Sequence, residues 1–132
     1  MSSRSSANAQ SILGIGTDII EIGRISEAYA RHGDRFLSRL FTKEERNYCE
    51  RYSKPIPHYA GRFAAKEAIL KALGTGLIGE LSWTEIEVLN NRDGKPEVHL
   101  SPRLQTLYPL AHLFLSISHC ESYATATAIL VG

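Results

Sequence analysis

The sequence predicts an α+β fold in one domain, built from antiparallel strands and one long helix. Three observations carry that reading. The stretch His58 to Leu73 holds the strongest helical signal in the chain, with Phe63, Ile69, Leu70 and Leu73 spaced among alanines and Gly74 placed to end it. LFLSISH (113–119) and SYATATAILV (122–131) alternate apolar and polar residues on either side of His119-Cys120-Glu121-Ser122, a closing hairpin. NNRDGKP supplies Asn, Asp and Gly for the turn of a second hairpin.

In chain order, MSSRSSANAQ is small and polar and reads as a flexible N-terminal extension over residues 1–10, with the domain occupying 11–132. SILGIGTDII then reads as a strand from Ser11 to Ile20: Leu13, Ile15, Thr17 and Ile19 share one side, while Gly14, Gly16 and Asp18 share the other. Arg24 to His32 has weak helical character up to Gly33. Thr42 with Glu45 three residues on forms a capping box that opens a helix through about Arg51. Pro55 and Pro57 interrupt it before the long helix begins at His58. GTGLIG after that helix reads as a turn, since it lacks the order of a phosphate-binding loop. SWTEIEVLN and PEVHL flank the NNRDGKP turn as two strands, and Ser101 caps a short helix whose first position is Pro102.

Composition narrows the function classes. At 132 residues and 14.6 kDa, with 43% hydrophobic residues, the chain has enough apolar material for one ordinary core. Lys and Arg total 15 against 14 Asp and Glu, so the gross positive charge that drives nonspecific nucleic-acid binding is missing. Cys49 and Cys120 stand far apart, outside any zinc spacing or disulfide framework, which fits a reducing cytoplasm. No apolar leader and no run of about 18 apolar residues is found, so no membrane attachment is expected.

The chemistry-bearing residues concentrate in a few places. Glu67 and Lys71 lie four apart on the long helix and so project from one face, with Arg62 and Lys66 close by. Taken alone, that pair reads as a surface ion pair. One carboxylate among several cations also suits a site where a magnesium ion bridges protein and phosphate oxygens while Lys and Arg neutralise the rest. Asp18, on the glycine side of the first strand, can supply a second carboxylate or instead cap a turn. His119 at the last hairpin can donate to a phosphate or sit there without function. From Arg24 to Arg62 nine basic residues face five acidic ones, and Arg24, Arg31, Arg35 and Arg39 fall on one side if that segment is helical, which suggests a face for an acidic partner.

GIGTDIIEIGRI, RFLSRLFTKEE, AGRFAAKEAILKALGTG and the late SISH together resemble the holo-acyl-carrier-protein synthases, over about Ile12 to Leu130. The resemblance implies a compact 4′-phosphopantetheinyl transferase fold, an antiparallel sheet packed against a long central helix. It also implies a homotrimer whose interfacial active sites draw on two subunits, working in fatty acid biosynthesis. The implied reaction moves 4′-phosphopantetheine from coenzyme A to a serine of apo-acyl carrier protein and releases adenosine 3′,5′-bisphosphate. In that reading Asp18 and Glu67 hold Mg²⁺, and Lys71 contacts the pyrophosphate and assists the leaving group. Glu67, directly or through a metal-bound water, accepts the serine proton. Arg62, Lys66, Lys95, Pro96 and His119 resemble coenzyme A contacts, and Arg24, Arg31, Arg35 and Arg39 the basic surface that receives the carrier protein. A noncatalytic carrier-binding module and a phosphotransferase acting on another nucleotide are the rival readings.

Overall fold

The computed structural model describes residues 11–74, 81–109 and 112–132. The N-terminal extension and all of the GTGLIG turn after Gly74 lie outside the described residues. Strands β1 (Ile12–Glu21), β4 (His112–His119) and β5 (Tyr123–Val131) make an antiparallel sheet in the order β1-β5-β4, while β2 (Ile86–Asn90) and β3 (Pro96–Leu100) pair separately. The helices are α1 (Ile22–His32), α2 (Asp34–Leu40), α3 (Lys43–Glu50), α4 (Ile56–Leu73) and α5 (Pro102–Leu107).

Helix α4 lies across the three-stranded sheet, and the glycines of β1 explain how closely. A Cβ at Gly14 would stand 2.1 Å from the Ala72 carbonyl oxygen, and one at Gly16 only 1.9 Å from that of Ala68. On the helix side, Ala64, Ala65, Ala68 and Ala72 are all buried in the main core. Small residues on both partners thus let backbone meet backbone, which no larger side chain would permit. At its other end α4 passes β4, where a Cβ on Gly61 would come within 3.0 Å of Ile117 Cγ2. The helix therefore crosses the sheet diagonally, from the end of β4 to the start of β1.

The antiparallel register fixes which residues look toward α4. Asp18, Ala126 and Ile117 form one row, and Ile20, Ala124 and His119 the next. The alternate rows, Ile15-Ile129-Phe114, Thr17-Thr127-Ser116 and Ile19-Thr125-Ser118, face away from the helix. A strand of alternating pattern predicts a buried apolar side; here the glycine side is the buried one, and Leu13, Ile15 and Ile19 are each more than 60% exposed.

A second buried cluster joins α1, α2 and α3 through Ile22, Ile25, Leu37, Leu40, Phe41 and Cys49 to Tyr59 at the start of α4. Burial pushes the Cys49 thiol up to about 12, so it packs as an inert apolar group. At the seam of the two clusters sits a buried ion pair. Lys66 Nζ donates to Glu45 Oε1 at 2.7 Å, and both side chains are fully buried. Lys66 also donates to the carbonyls of Leu40 at 2.7 Å and Trp83 at 3.1 Å. Glu45 accepts from the Thr42 and Val88 amides, at 2.8 and 2.7 Å, so the capping box read from sequence doubles as a clamp between α3, α4 and β2.

Three elements differ from the sequence reading. Gly33, with φ 61°, ends α1 and starts the separate helix α2, which the pattern did not reveal. Pro57 stands in the first turn of α4, where a missing N–H is harmless, so the long helix begins before it. Ser82 and Glu85 form a capping box around a 3₁₀ turn at Trp83–Glu85, which shortens the expected strand to Ile86–Asn90.

Candidate active site

The close fit of Gly14 and Gly16 against α4 brings the next inward residue of β1, Asp18, beside the last turns of that helix. Lys71 reaches back to it: Nζ donates to the Thr17 carbonyl at 2.9 Å and lies 3.3 Å from Asp18 Oδ1. The ion partner of Lys71 is thus Asp18 on another element, and the local Glu67–Lys71 pair that its spacing suggests is not the contact formed. Glu67 completes the group. Its carboxyl is held above the usual glutamate range, first by burial and then by the nearby Asp18 charge, with Lys71 opposing both. Asp18 lies within β1, paired with Ala126, and its carbonyl accepts from Thr125 Oγ1 at 2.9 Å, so it is no turn cap.

Two carboxylates and one ammonium, partly sheltered, suit a divalent cation shared with phosphate oxygens. Among the described residues no cluster of three or more His, Cys, Asp or Glu forms, which speaks against an all-protein cage. A pair of carboxylates is what magnesium takes when substrate phosphates fill the remaining positions. The residues present fit that ion.

The other expected contacts are distributed unevenly. Arg62 is buried, its guanidinium 3.9 Å over the Tyr48 ring and hydrogen-bonded to Asn90. His119 closes β4 on the face that looks toward α4, edge-on to His58. Lys66 is corrected: its Nζ is spent on Glu45 and two carbonyls and its side chain is fully buried, so it faces no ligand. Lys95 and Pro96 line a cleft of about 680 Å³ with Asn91, Tyr108, His112 and Phe114. Lys95 Nζ stands 5.9 Å from the Phe114 ring, five residues from His119 along β4, or about 17 Å at strand rise. One chain therefore does not gather the hairpin lysine and the histidine at one point. On the basic face, Gly33 places Arg24 and Arg31 on α1 but Arg35 and Arg39 on α2, which replaces the continuous stripe considered from sequence. Arg24 pairs weakly with Glu21 at 3.7 Å, and a shallow groove of about 550 Å³ runs between Arg24, Glu27, Arg31 and His32.

Residues 14–128 match the model of the 4′-phosphopantetheinyl transferase superfamily. The chain belongs to that superfamily. Within it, the transferase is 54% identical over 117 residues, 89% of its own length and 96% of the relative's, to a holo-[acyl-carrier-protein] synthase of Protochlamydia amoebophila. Its fold superposes on the crystal structure of the holo-[acyl-carrier-protein] synthase of Neisseria meningitidis with a TM-score of 0.82 at 35% identity, covering 91% and 98% of the two chains. A Bacillus anthracis holo-(acyl-carrier-protein) synthase, solved in complex with CoA (3′,5′-ADP), matches with a TM-score of 0.77 at 40% identity over 94% and 99%. The mixed α and β architecture with antiparallel sheets is the architecture of these enzymes.

Two groups at the site escaped the sequence reading of this transferase. His58 stacks on Tyr52 with ring centroids 3.6 Å apart and touches His119 at 5.5 Å. Its spacing of four from Arg62 was the available signal. Asn90, which holds the Arg62 guanidinium, comes from β2 and carries no local sequence signal.

Proposed function

We propose that Asp18, Glu67 and Lys71 carry out transfer of 4′-phosphopantetheine from coenzyme A to a serine of apo-acyl carrier protein, with Mg²⁺ held between the two carboxylates. The observation that carries this reading is the convergence of these three side chains from β1 and α4, beside a face open to solvent. When bound, Mg²⁺ supplies charge neutralisation on the pyrophosphate. Lys71, anchored on the Thr17 carbonyl with its side chain 54% exposed, can lean from Asp18 to a phosphate oxygen and offset charge on the departing adenosine 3′,5′-bisphosphate. The serine oxygen attacks the β-phosphorus in line. The bond from that phosphorus to the bridging oxygen breaks, and the serine proton passes to Glu67, directly or through a water beside it.

Arg62, His119, Lys95 and Pro96 are the further coenzyme A contacts, and Arg24, Arg31, Arg35 and Arg39 receive the acidic carrier protein. The separation of Lys95 from His119 within one chain supports a site completed by a neighbouring subunit of a homotrimer. The exposed outer face of the β1-β5-β4 sheet, with Ile15, Ile19, Phe114 and Tyr123, supports such an assembly. The place of action is the cytoplasm, in fatty acid biosynthesis; among the described residues no helix is long and apolar enough to cross a membrane.

The test is a mass measurement on apo-acyl carrier protein incubated with the enzyme, coenzyme A and Mg²⁺. The carrier gains one phosphopantetheine with the parent enzyme and none with Asp18→Ala or Glu67→Ala, both of which stay folded by circular dichroism. No gain across several carriers with the parent enzyme would overturn the reading.

A further inference from the structure

The junction between the start of α4 and the end of β4 gathers cationic and aromatic groups around one buried, incompletely bonded arginine. His58 lies nearly flat on Tyr52, with centroids 3.6 Å apart and planes inclined by 16°. It meets His119 edge-on at 5.5 Å and Tyr48 at 6.3 Å. One turn along α4, Arg62 is 3% exposed and donates to Asn90, yet its Nε has no hydrogen-bond partner among the described residues. A buried guanidinium N–H without an acceptor costs free energy, and a bound acceptor recovers it. The groups facing His58 are the phenols Tyr48 and Tyr52 from α3 and the turn after it, Arg62 from α4 and His119 from β4; the charges acting on it come from His119 and Arg62. Among the described residues Arg62 forms no ion pair with a carboxylate, and a guanidinium so placed recognises an anion.

We propose that His58 is a specificity-determining residue for the nucleotide, joining His119 and Arg62 to bind the 3′-phosphate of coenzyme A with uptake of a proton. This rests on the reading of Arg62 and His119 as coenzyme A contacts. Coenzyme A offers two kinds of phosphate. Its pyrophosphate calls for a carboxylate-held divalent cation, which is the chemistry of Asp18 and Glu67. Its monoester, with a second pKa near 6, matches imidazole and guanidinium donors that need no metal. Burial, and then the His119 and Arg62 charges, hold His58 below the ordinary histidine value, so the ring is largely neutral at pH 7 before the nucleotide arrives. A phosphate dianion beside it reverses the balance and favours imidazolium, and the proton comes from solvent. The stack on Tyr52 fixes the plane in which the new N–H donates.

Isothermal titration calorimetry at pH 7 in two buffers of different ionisation enthalpy counts the protons taken up. Coenzyme A and 3′-dephospho-coenzyme A are compared on the parent, His58→Phe and His58→Gln; Phe keeps the stack on Tyr52, and Gln keeps a polar group without a titratable one. The parent takes up a proton with coenzyme A and markedly less with the dephospho compound. Both variants lose that uptake, and their preference for coenzyme A shrinks by about tenfold, the scale of one charge-assisted hydrogen bond. Undiminished uptake and preference in both variants overturn the role of His58. A parent that binds the two nucleotides equally overturns the monoester placement at Arg62 and His119, and one that binds neither overturns the coenzyme A reading beneath it.

Discussion

At the residue scale, the site is strained by its own carboxylates. Burial and Asp18 raise the Glu67 carboxyl, so the folded chain binds that proton more tightly than the unfolded chain does. Its stabilising effect is therefore full below the unfolded value and is lost as pH rises through the higher folded one. Glu67→Gln removes the repulsion along with the proposed proton acceptor. Thermal melts without Mg²⁺ should show the variant melting no lower than the parent at pH 8, with any advantage vanishing toward pH 4, while transfer is abolished; a large loss of stability at pH 8 would contradict the role assigned to burial and Asp18. Lys66 behaves in the opposite way. Its burial presses its pKa down while Glu45 resists, and removing one partner strands the other in the core. Lys66→Met should cost about 3–5 kcal/mol in chemical denaturation, and Lys66→Met with Glu45→Met considerably less than the sum of the two single changes.

At the scale of elements, what was legible in the sequence follows from how local its cause is. The capping box at Thr42 and Glu45, the proline-started helix α5, the hairpin turns and the long alanine-rich helix all arise from neighbours in sequence, and they stand where the pattern put them, save that the long helix starts at Ile56 and takes Pro57 into its first turn. Helix α2 did not stand out, because Asp34–Leu40 is short and is held by Leu37 and Leu40 in a cluster whose other members include residues of α1, α3, α4 and β5. For the same reason Lys66 read as a ligand contact: a basic residue beside Glu67 gives no hint of a buried partner 21 positions away. Asp18 and Glu67 each had a plain alternative reading; only their order with Lys71 and His119 in one family pattern separated the site from surface charge. The glycines of β1 are the hinge of that argument. Gly16→Ala drives a methyl group into the Ala68 carbonyl, where neither backbone can give, and should cost at least about 3 kcal/mol, with Asp18 pulled away from Lys71. Urea denaturation of that variant beside Gly23→Ala, whose added Cβ meets nothing within 4 Å, separates steric cost from the helix or strand preference of alanine.

At the scale of the whole molecule, the sheet has one face too many. Its glycine and alanine side is sealed by α4, while its outer side presents Leu13, Ile15, Ile19, Phe114 and Tyr123 to solvent at 42–66% exposure. A patch of large apolar residues on a regular sheet is the usual mark of a protein interface. Thr17, Thr127, Ser116 and Ser118 lie among them, so the face mixes apolar area with hydroxyl groups that can hydrogen-bond across subunits. A neighbouring copy seated there would cover the apolar strip and bring a second chain close to the active-site strand β1. It would also account for Lys95 and His119 standing at opposite ends of β4: each would serve a coenzyme A shared with a different neighbour. Ile15→Arg combined with Ile19→Arg places two charges on the strip without touching the side of β1 that carries Asp18. Light scattering after size exclusion should report a trimer for the parent and a monomer for the double variant, with transfer to the carrier protein falling at least tenfold while the circular dichroism spectrum is kept. A parent that runs as a monomer at micromolar concentration and remains fully active would show that one chain builds the whole site, and that the outer face of the sheet has another use.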